Sequence, residues 1–248
     1  MTARPEHPAL RGRPIYLDYN ATTPVDAVVV EAMTPYLIEE FGNPSSSHSY
    51  GVAAQIGLSR ARHQVAELIG ASDDTMVFTG SGSEADALAI RGAVLGATPR
   101  PRRHLITQVT EHPAVLAACR ELEELHDVTV TYLPVDGHGR IEAAQVSDAI
   151  TPDTVLVSVM HANNETGTIQ PIAEIAAVTR ERGVLLHCDA AQSVGKIAVD
   201  VDDLGVDMLT VVGHKMYAPK GVGALYVRAG VRLRPLIAGG GQEHGIRA

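Results

Sequence analysis

The stretch GVLLHCDAAQSVGK, Gly183 to Lys196, decides the fold. Its first part, VLLHC (184–188), is non-charged on consecutive positions instead of alternating, the pattern of a strand covered on both faces. Just before it lies PIAEIAAVTRERG (171–183), a helix-like segment opened by Pro171 and closed by Gly183. Helix, doubly covered strand and polar loop together form the unit of a parallel α/β sheet. Similar short runs recur at TMVFT (75–79), HLITQV (104–109), VTVTYL (128–133), TVLVSVM (154–160), DMLTVV (207–212) and GALYV (223–227). Helix-like segments lie between most of them. VAAQIGLSRARHQVAELIG (52–70) places Ala61, Val65, Leu68 and Ile69 on one face, and SEADALAIRGAVLG (83–96) follows the first run. The expected architecture is α/β: a three-layer α/β/α arrangement around a mostly parallel seven-stranded sheet. Residues 1–14 read as a flexible tail preceding one domain over 15–248.

Composition narrows the function. The chain has 248 residues, 45% of them hydrophobic and 20% charged, which suits a soluble globular enzyme. A net charge of −9 argues against a nucleic-acid face, and 4% aromatics without tryptophan leaves little for base stacking. The basic group Arg100, Arg102 and Arg103 is broken by Pro101 and reads as a solvated loop. No run reaches the roughly 20 apolar residues of a membrane span, and the N-terminus lacks a secretory apolar region, so a cytoplasmic protein is expected. Two distant cysteines, Cys119 and Cys188, suggest neither a disulfide framework nor a zinc ribbon. Cys119 lies in AVLAACRELEEL, a helix-like run, where packing is the expected role.

Ligands of open α/β sheets bind beyond the carboxyl ends of the strands. The loops at those ends are rich in functional groups: GSGSE (80–84), TEH (110–112), HANNETG (161–167), CDAAQ (188–192) and GHKMYAPKG (213–221). GSGSE follows a strand and opens a helix, so its amides could cradle a phosphate, although Ser81 and Glu84 also fit a capping box. Lys215, set among glycines after a buried strand, could lose its proton and attack a carbonyl; an exposed loop lysine is the plainer alternative. Strand alternation points His187 and Asp189 one way and Cys188 the other. Asp189 could face a cation or could cap AAQSVG. A phosphate cradle, an aldehyde-seeking lysine and a buried carboxylate together match pyridoxal 5'-phosphate.

The motifs YLDYNATTP (16–24), FGNPSSSH (41–48), TEH (110–112), ANNETG (162–167), DAAQSVGK (189–196) and GHKMYAPKGVGALYVR (213–228) together resemble the NifS-like cysteine desulfurases of the class V aminotransferase group. The resemblance runs over about residues 15–248 and implies the large domain of a fold type I pyridoxal phosphate enzyme, with the first part of a small domain. It implies that Lys215 carries the cofactor aldehyde and moves the substrate Cα proton, and that His112 stacks on the ring. Asp189 would pair with the ring nitrogen, Asn164 and Gln192 would address the ring hydroxyl, and Gly82, Ser83 and His214 would hold the phosphate. Asn20 would face the substrate, L-cysteine or L-selenocysteine. The implied reaction yields L-alanine and a protein persulfide for iron–sulfur or thiolation pathways, in a homodimer that serves a sulfur-acceptor or scaffold protein.

Two departures qualify that expectation. Val212 stands where desulfurases commonly carry a serine, which removes a phosphate donor; with GGGQEHGIR (239–247) it also resembles selenocysteine lyases. Family members continue past Ala248 into a C-terminal domain that carries the sulfur-accepting cysteine, so the expectation is a fragment that binds cofactor. A non-catalytic scaffold keeping the fold is an alternative. So is a metal hydrolase built on His161, His187 and Asp189, although that spacing matches no standard zinc pattern and no metal ligand set is assigned.

Overall fold

The computed structural model describes residues 7–97 and 103–248. Seven strands form one sheet: β1 (Met76–Thr79), β2 (Arg103–Gln108), β3 (Val128–Leu133), β4 (Thr154–Ser158), β5 (Leu185–Asp189), β6 (Met208–Val212) and β7 (Gly223–Val227), in the order β1-β7-β6-β5-β4-β2-β3. The pairs β2–β3, β2–β4, β4–β5 and β5–β6 are parallel. β7 runs antiparallel to both β6 and β1, so the other six strands share one direction. The mostly parallel sheet and all seven strand positions match the expectation from sequence.

The flanking helices are α1 (Ala27–Ile38), α2 (Ser49–Leu68), α3 (Gly82–Gly96), α4 (Pro113–His126), α5 (Ala143–Ala149), α6 (Ile172–Arg182) and α7 (Val201–Leu204). They cover the sheet on two sides, so the core is divided in two. Leu88, Leu105, Leu122 and Leu156 belong to the layer under α3 and α4, while Ile106, Ile172, Ile175 and Leu186 belong to the layer under α6. Adjacent strand residues such as Leu105 and Ile106 thus enter opposite layers and are both fully buried, the physical basis of the unbroken apolar runs. Burying each such side chain stabilises the fold by roughly 1.5–3 kcal/mol. α6 ends at Gly183, whose φ of +65° gives a left-handed C-terminus that few other residues adopt without strain.

Three features differ from the sequence reading. Leu68, in the last position of α2, is 46% exposed, while Ile69 of the predicted face is buried just past the helix as its C-cap. α1 was not legible: Pro35 interrupts its pattern and none of its residues is buried. Its Val28, Leu37 and Ile38 are exposed. Of the expected tail, residues 1–6 lie outside the described residues, while residues 8–10 form a 3-10 turn and His7 Nε2 lies 2.8 Å from the Val25 carbonyl. Arg100 and Arg102 of the basic group also lie outside the described residues.

Candidate active site

Five loops at the carboxyl ends of β1, β2, β4, β5 and β6 converge on a cavity of ≈ 250 Å³. Gly82, Ser83, His112, Asn164, Asp189, Gln192, His214 and Lys215 all line it, so eight of the nine expected site residues are brought together. The ninth, Asn20, sits at the mouth on an exposed strap. The gathering follows from topology. Parallel strands end on one edge of the sheet, and β7, the antiparallel strand, sends its carboxyl end the other way.

Each wall has a local cause. α3 begins at Gly82 with Ser81 as its N-cap, whose Oγ accepts the Glu84 amide at 3.1 Å. The first amides of a helix have no partner within it, so this loop presents donors and a positive helix end to the cavity. Glu84 does not complete the expected capping box; its Oε2 accepts the Gly80 amide at 2.7 Å instead. Gly82 is required by packing, since a Cβ there would lie 2.3 Å from Val212 Cγ2. Val212 therefore fills the space behind the loop with a methyl group where a hydroxyl was expected. On β2's side His112 caps α4, its Nδ1 accepting from the Ala114 amide at 3.2 Å, which leaves Nε2 as the protonated nitrogen.

Lys215 follows β6 in a short 3-10 turn and is half-buried. Burial lowers its ammonium pKa, with Asp189 and Asp18 pulling the other way. Its Nζ donates to the Asn20 carbonyl at 2.5 Å. The same carbonyl accepts from Gln192 Nε2 at 2.9 Å, and Asn20 Nδ2 donates to the Asn164 carbonyl at 3.1 Å. The strap continues with Thr22, whose hydroxyl lies 3.1 Å from His214 Nδ1, and Thr23, whose amide donates to the His214 carbonyl. Residues 20–23 are thereby stitched to three of the cavity loops.

Beneath the cavity lie three buried carboxyl groups, on Asp86, Glu111 and Asp189. Asp189 Oδ1 accepts the Ala191 amide at 2.9 Å, so its side chain both caps the turn after β5 and faces the cavity. Its pKa is raised by burial, and His112 and Lys215 offset part of that. Asp86, on α3, is 2% exposed and its Oδ1 has no hydrogen-bond partner. His187 Nε2 lies 3.8 Å from that oxygen. That histidine is itself held neutral by burial, with a pKa pushed down to about 3. Its ring nitrogens meet hydroxyls only: Ser158 Oγ lies 2.9 Å from Nδ1 and Thr210 Oγ1 3.0 Å from Nε2. Burial first, then Asp189, holds the Asp86 pKa well above the carboxylate range.

Glu111 behaves in the same way. Its Oε1 accepts the Met160 amide at 2.7 Å, Oε2 has no partner, and burial pushes its pKa up to about 8. A folded-state pKa above the unfolded value stabilises the fold below pH 4.5, and that contribution is lost as pH rises to about 8. Glu111→Gln is expected to flatten this decline by up to about 1.4 kcal/mol per pH unit within that window. Urea unfolding of the cofactor-free chain at pH 5, 6.5 and 8 measures it; an unchanged slope would mean that Glu111 is ionised in the fold.

Both cysteines are fully buried on separate elements. Cys188 projects into the layer under α6, opposite Asp189, as strand alternation predicts. Burial pushes the Cys119 thiol up to about 12 and raises Cys188 as well, so neither is a ready thiolate. His161 and His187 do not join Asp189 in a ligand set. Among the described residues no three His, Cys, Asp or Glu side chains are grouped to hold a metal.

Sequence reasoning missed Asp86, Glu111 and Lys196. Lys196 Nζ donates to Gln192 Oε1 at 2.5 Å and to Asn20 Oδ1 at 3.3 Å, which places a second amine at the mouth. Its four-residue spacing from Gln192 within DAAQSVGK was the available signal. Glu111 sat inside the TEH motif, but only its burial distinguishes it from a surface glutamate.

The donor set of this cavity suits a phosphorylated aldehyde with a cationic ring: a half-buried amine of lowered pKa, a buried carboxylate, and a helix start. Comparison with known proteins agrees. The model of the family "Aminotransferase class-V" matches residues 15–247, and the chain belongs to that family. A cysteine desulfurase of Trichormus azollae is 53% identical over 234 residues, which are 94% of this chain and 58% of the relative. The cysteine desulfurase IscS of Dictyoglomus turgidum is 48% identical over 95% of this chain and 59% of its own length. The solved structure "SspA in complex with cysteine" superposes with a TM-score of 0.90 at 45% identity, covering 94% of this chain and 67% of that one. The fold is therefore that of the pyridoxal phosphate-dependent cysteine desulfurases. The chain spans about 58% of the length of the curated relatives it matches.

Proposed function

We propose that residues 15–248 form a pyridoxal phosphate-binding large domain, with the first part of a small domain, and that the domain serves cysteine desulfuration. The observation that supports this best is the meeting of Lys215 and Asp189 in one cavity whose far wall is the start of α3. When bound, the cofactor supplies an aldehyde carbon for amine exchange and a ring that withdraws electrons from it. The Ser83 hydroxyl, the α3 amides at Gly82 and Ser83, and His214 would hold its phosphate. His112 would cover a ring face, and Asn164 and Gln192 would meet the ring hydroxyl. Asp189 would provide the anion for the ring nitrogen, while burial raises the pKa of Asp86 and Glu111 nearby.

Lys215 Nζ, whose pKa burial lowers, is the nucleophile toward the aldehyde and the base for the substrate Cα proton. The Asn20 strap lies at the mouth, bonded to Lys215 and Gln192. The substrate is L-cysteine and the product L-alanine, with sulfur passed to a thiol that is neither Cys119 nor Cys188, since both are buried away from the cavity. A homodimer in the cytoplasm delivering to an acceptor or scaffold protein completes the reading. Selenocysteine lyase is the second reading, favoured by the apolar Val212 on the cavity wall. Competing the two amino acids in one reaction separates them.

Attachment requires the free amine, so its rate is expected to rise with pH and to level off below the pH range of an ordinary lysine. Stopped reduction with borohydride, followed by intact mass, measures it. A rate still rising to the ordinary lysine range, or no adduct at any pH, would count against the reading.

A further inference from the structure

β1 is an edge strand, paired only with β7, so the groups on its outer side need partners from elsewhere. They find them in two ion pairs. The Met76 carbonyl accepts from Arg62 Nη1 at 2.6 Å, and the Phe78 amide donates to Glu243 Oε2 at 2.9 Å. Two residues further on, the Gly80 amide donates to Glu84 Oε2 at 2.7 Å. Arg62 and Glu243 are joined by two 2.8 Å bonds, with side-chain exposures of only 12% and 8%. Glu84 is joined to Arg247, whose Nε donates to Oε1 at 2.8 Å and Nη2 to Oε2 at 3.4 Å.

Glu243 and Arg247 belong to one tight turn. The Glu243 amide donates to the Arg247 carbonyl at 3.0 Å and the Arg247 amide to the Glu243 carbonyl at 3.3 Å, around His244 and Gly245 at φ +54° and +74°. The turn thus carries a carboxylate to one pair and a guanidinium to the other. Its carboxylate fastens β1 at Phe78; its guanidinium fastens Glu84, which in turn holds Gly80, where the loop into the cavity begins.

We infer that the turn 243–247 is a latch on the Gly80–Ser83 loop, and that Arg247 is a positioning residue for the phosphate end of the ligand. The inference rests on the reading that this loop takes the cofactor phosphate. Arg247 acts in two ways. Its fork orients Glu84, which fixes the Gly80 amide and the entry into α3. It also neutralises a carboxylate that would otherwise stand uncompensated within a turn of a site for a dianion.

Both effects act on the phosphate and neither on the ring. Titrating the full chain with pyridoxal 5'-phosphate and with pyridoxal, followed by absorbance, separates them. Arg247→Ala is expected to weaken pyridoxal 5'-phosphate about tenfold or more, the size of one lost charge-assisted contact, and to change pyridoxal by less than about twofold. Arg247→Lys, which keeps the charge and loses the fork, should fall between; it and Glu84→Gln serve if the alanine variant does not fold by circular dichroism. Equal weakening of both ligands, or of neither, would overturn the latch. A wild-type chain that binds neither ligand would overturn the cofactor reading, and the phosphate role of Arg247 with it.

Discussion

Lys215→Ala is expected to abolish covalent attachment of pyridoxal phosphate and to lower any turnover of the amino acid by roughly 10²–10⁴-fold, the range for loss of a positioned acid–base group. The expectation rests on position as much as chemistry. Lys215 lines the cavity on the same side of the sheet as Asp189, whereas Lys196, the other amine nearby, is exposed at the mouth and bonded to Gln192 and Asn20. Alanine at 215 also releases the Asn20 carbonyl from one of its two side-chain donors, but Gln192 still holds it, so the strap should stay in place. Borohydride reduction and peptide mapping decide the matter. The wild-type adduct should map to Lys215 and be absent from the variant; an adduct on Lys196 would reassign the nucleophile.

Asp189→Asn carries the second large effect. Asparagine keeps the shape and can still accept the Ala191 amide, so the turn after β5 should fold as before. What it loses is the anion. Two unit charges ~4 Å apart at an effective dielectric of ~20 gain ~4 kcal/mol before desolvation. If half is returned as the cost of burial, roughly 30-fold in rate remains at stake, and up to about 10³-fold if little is returned. The companion change Asp86→Asn should alter the rate by no more than about threefold, because burial and Asp189 raise the Asp86 pKa and so disfavour its anion. Single-turnover rates of the two variants side by side make the comparison. Similar losses in both would show that the negative charge is shared between the carboxyls.

Most of the fold was legible in the chain, and for one reason. Strands in a parallel sheet are covered on both faces, so HLITQV, TVLVSVM and DMLTVV announce themselves as unbroken runs. Helices with a one-sided core, such as α3 and α6, show their spacing and their terminal glycine or N-cap. α1 did not, because none of its residues is fully buried and Pro35 breaks the pattern. α5 and α7, with seven and four residues, are too short for a period to be read.

The site divides along a similar line. The motifs at the strand ends named eight residues that the structure gathers in one cavity, since parallel topology carries strand-end loops to a common edge. They could not show how the acids are protonated. Burial raises the pKa of Asp86 and Glu111, a property of the whole assembly and not of their neighbours in sequence.

By itself the sequence determined the sheet, the edge of it that carries the chemistry, and the family. Local hydrophobic pattern and a short motif hold that information, because backbone conformation and strand burial are set within a few residues. Only the tertiary structure decided that burial raises the pKa of Asp86 and Glu111, that Lys196 stands at the mouth, and that Arg62 meets Glu243 and Glu84 meets Arg247 across 181 and 163 residues. Desolvation and charge pairing sum over everything within a few ångströms, and distance along the chain does not enter that sum.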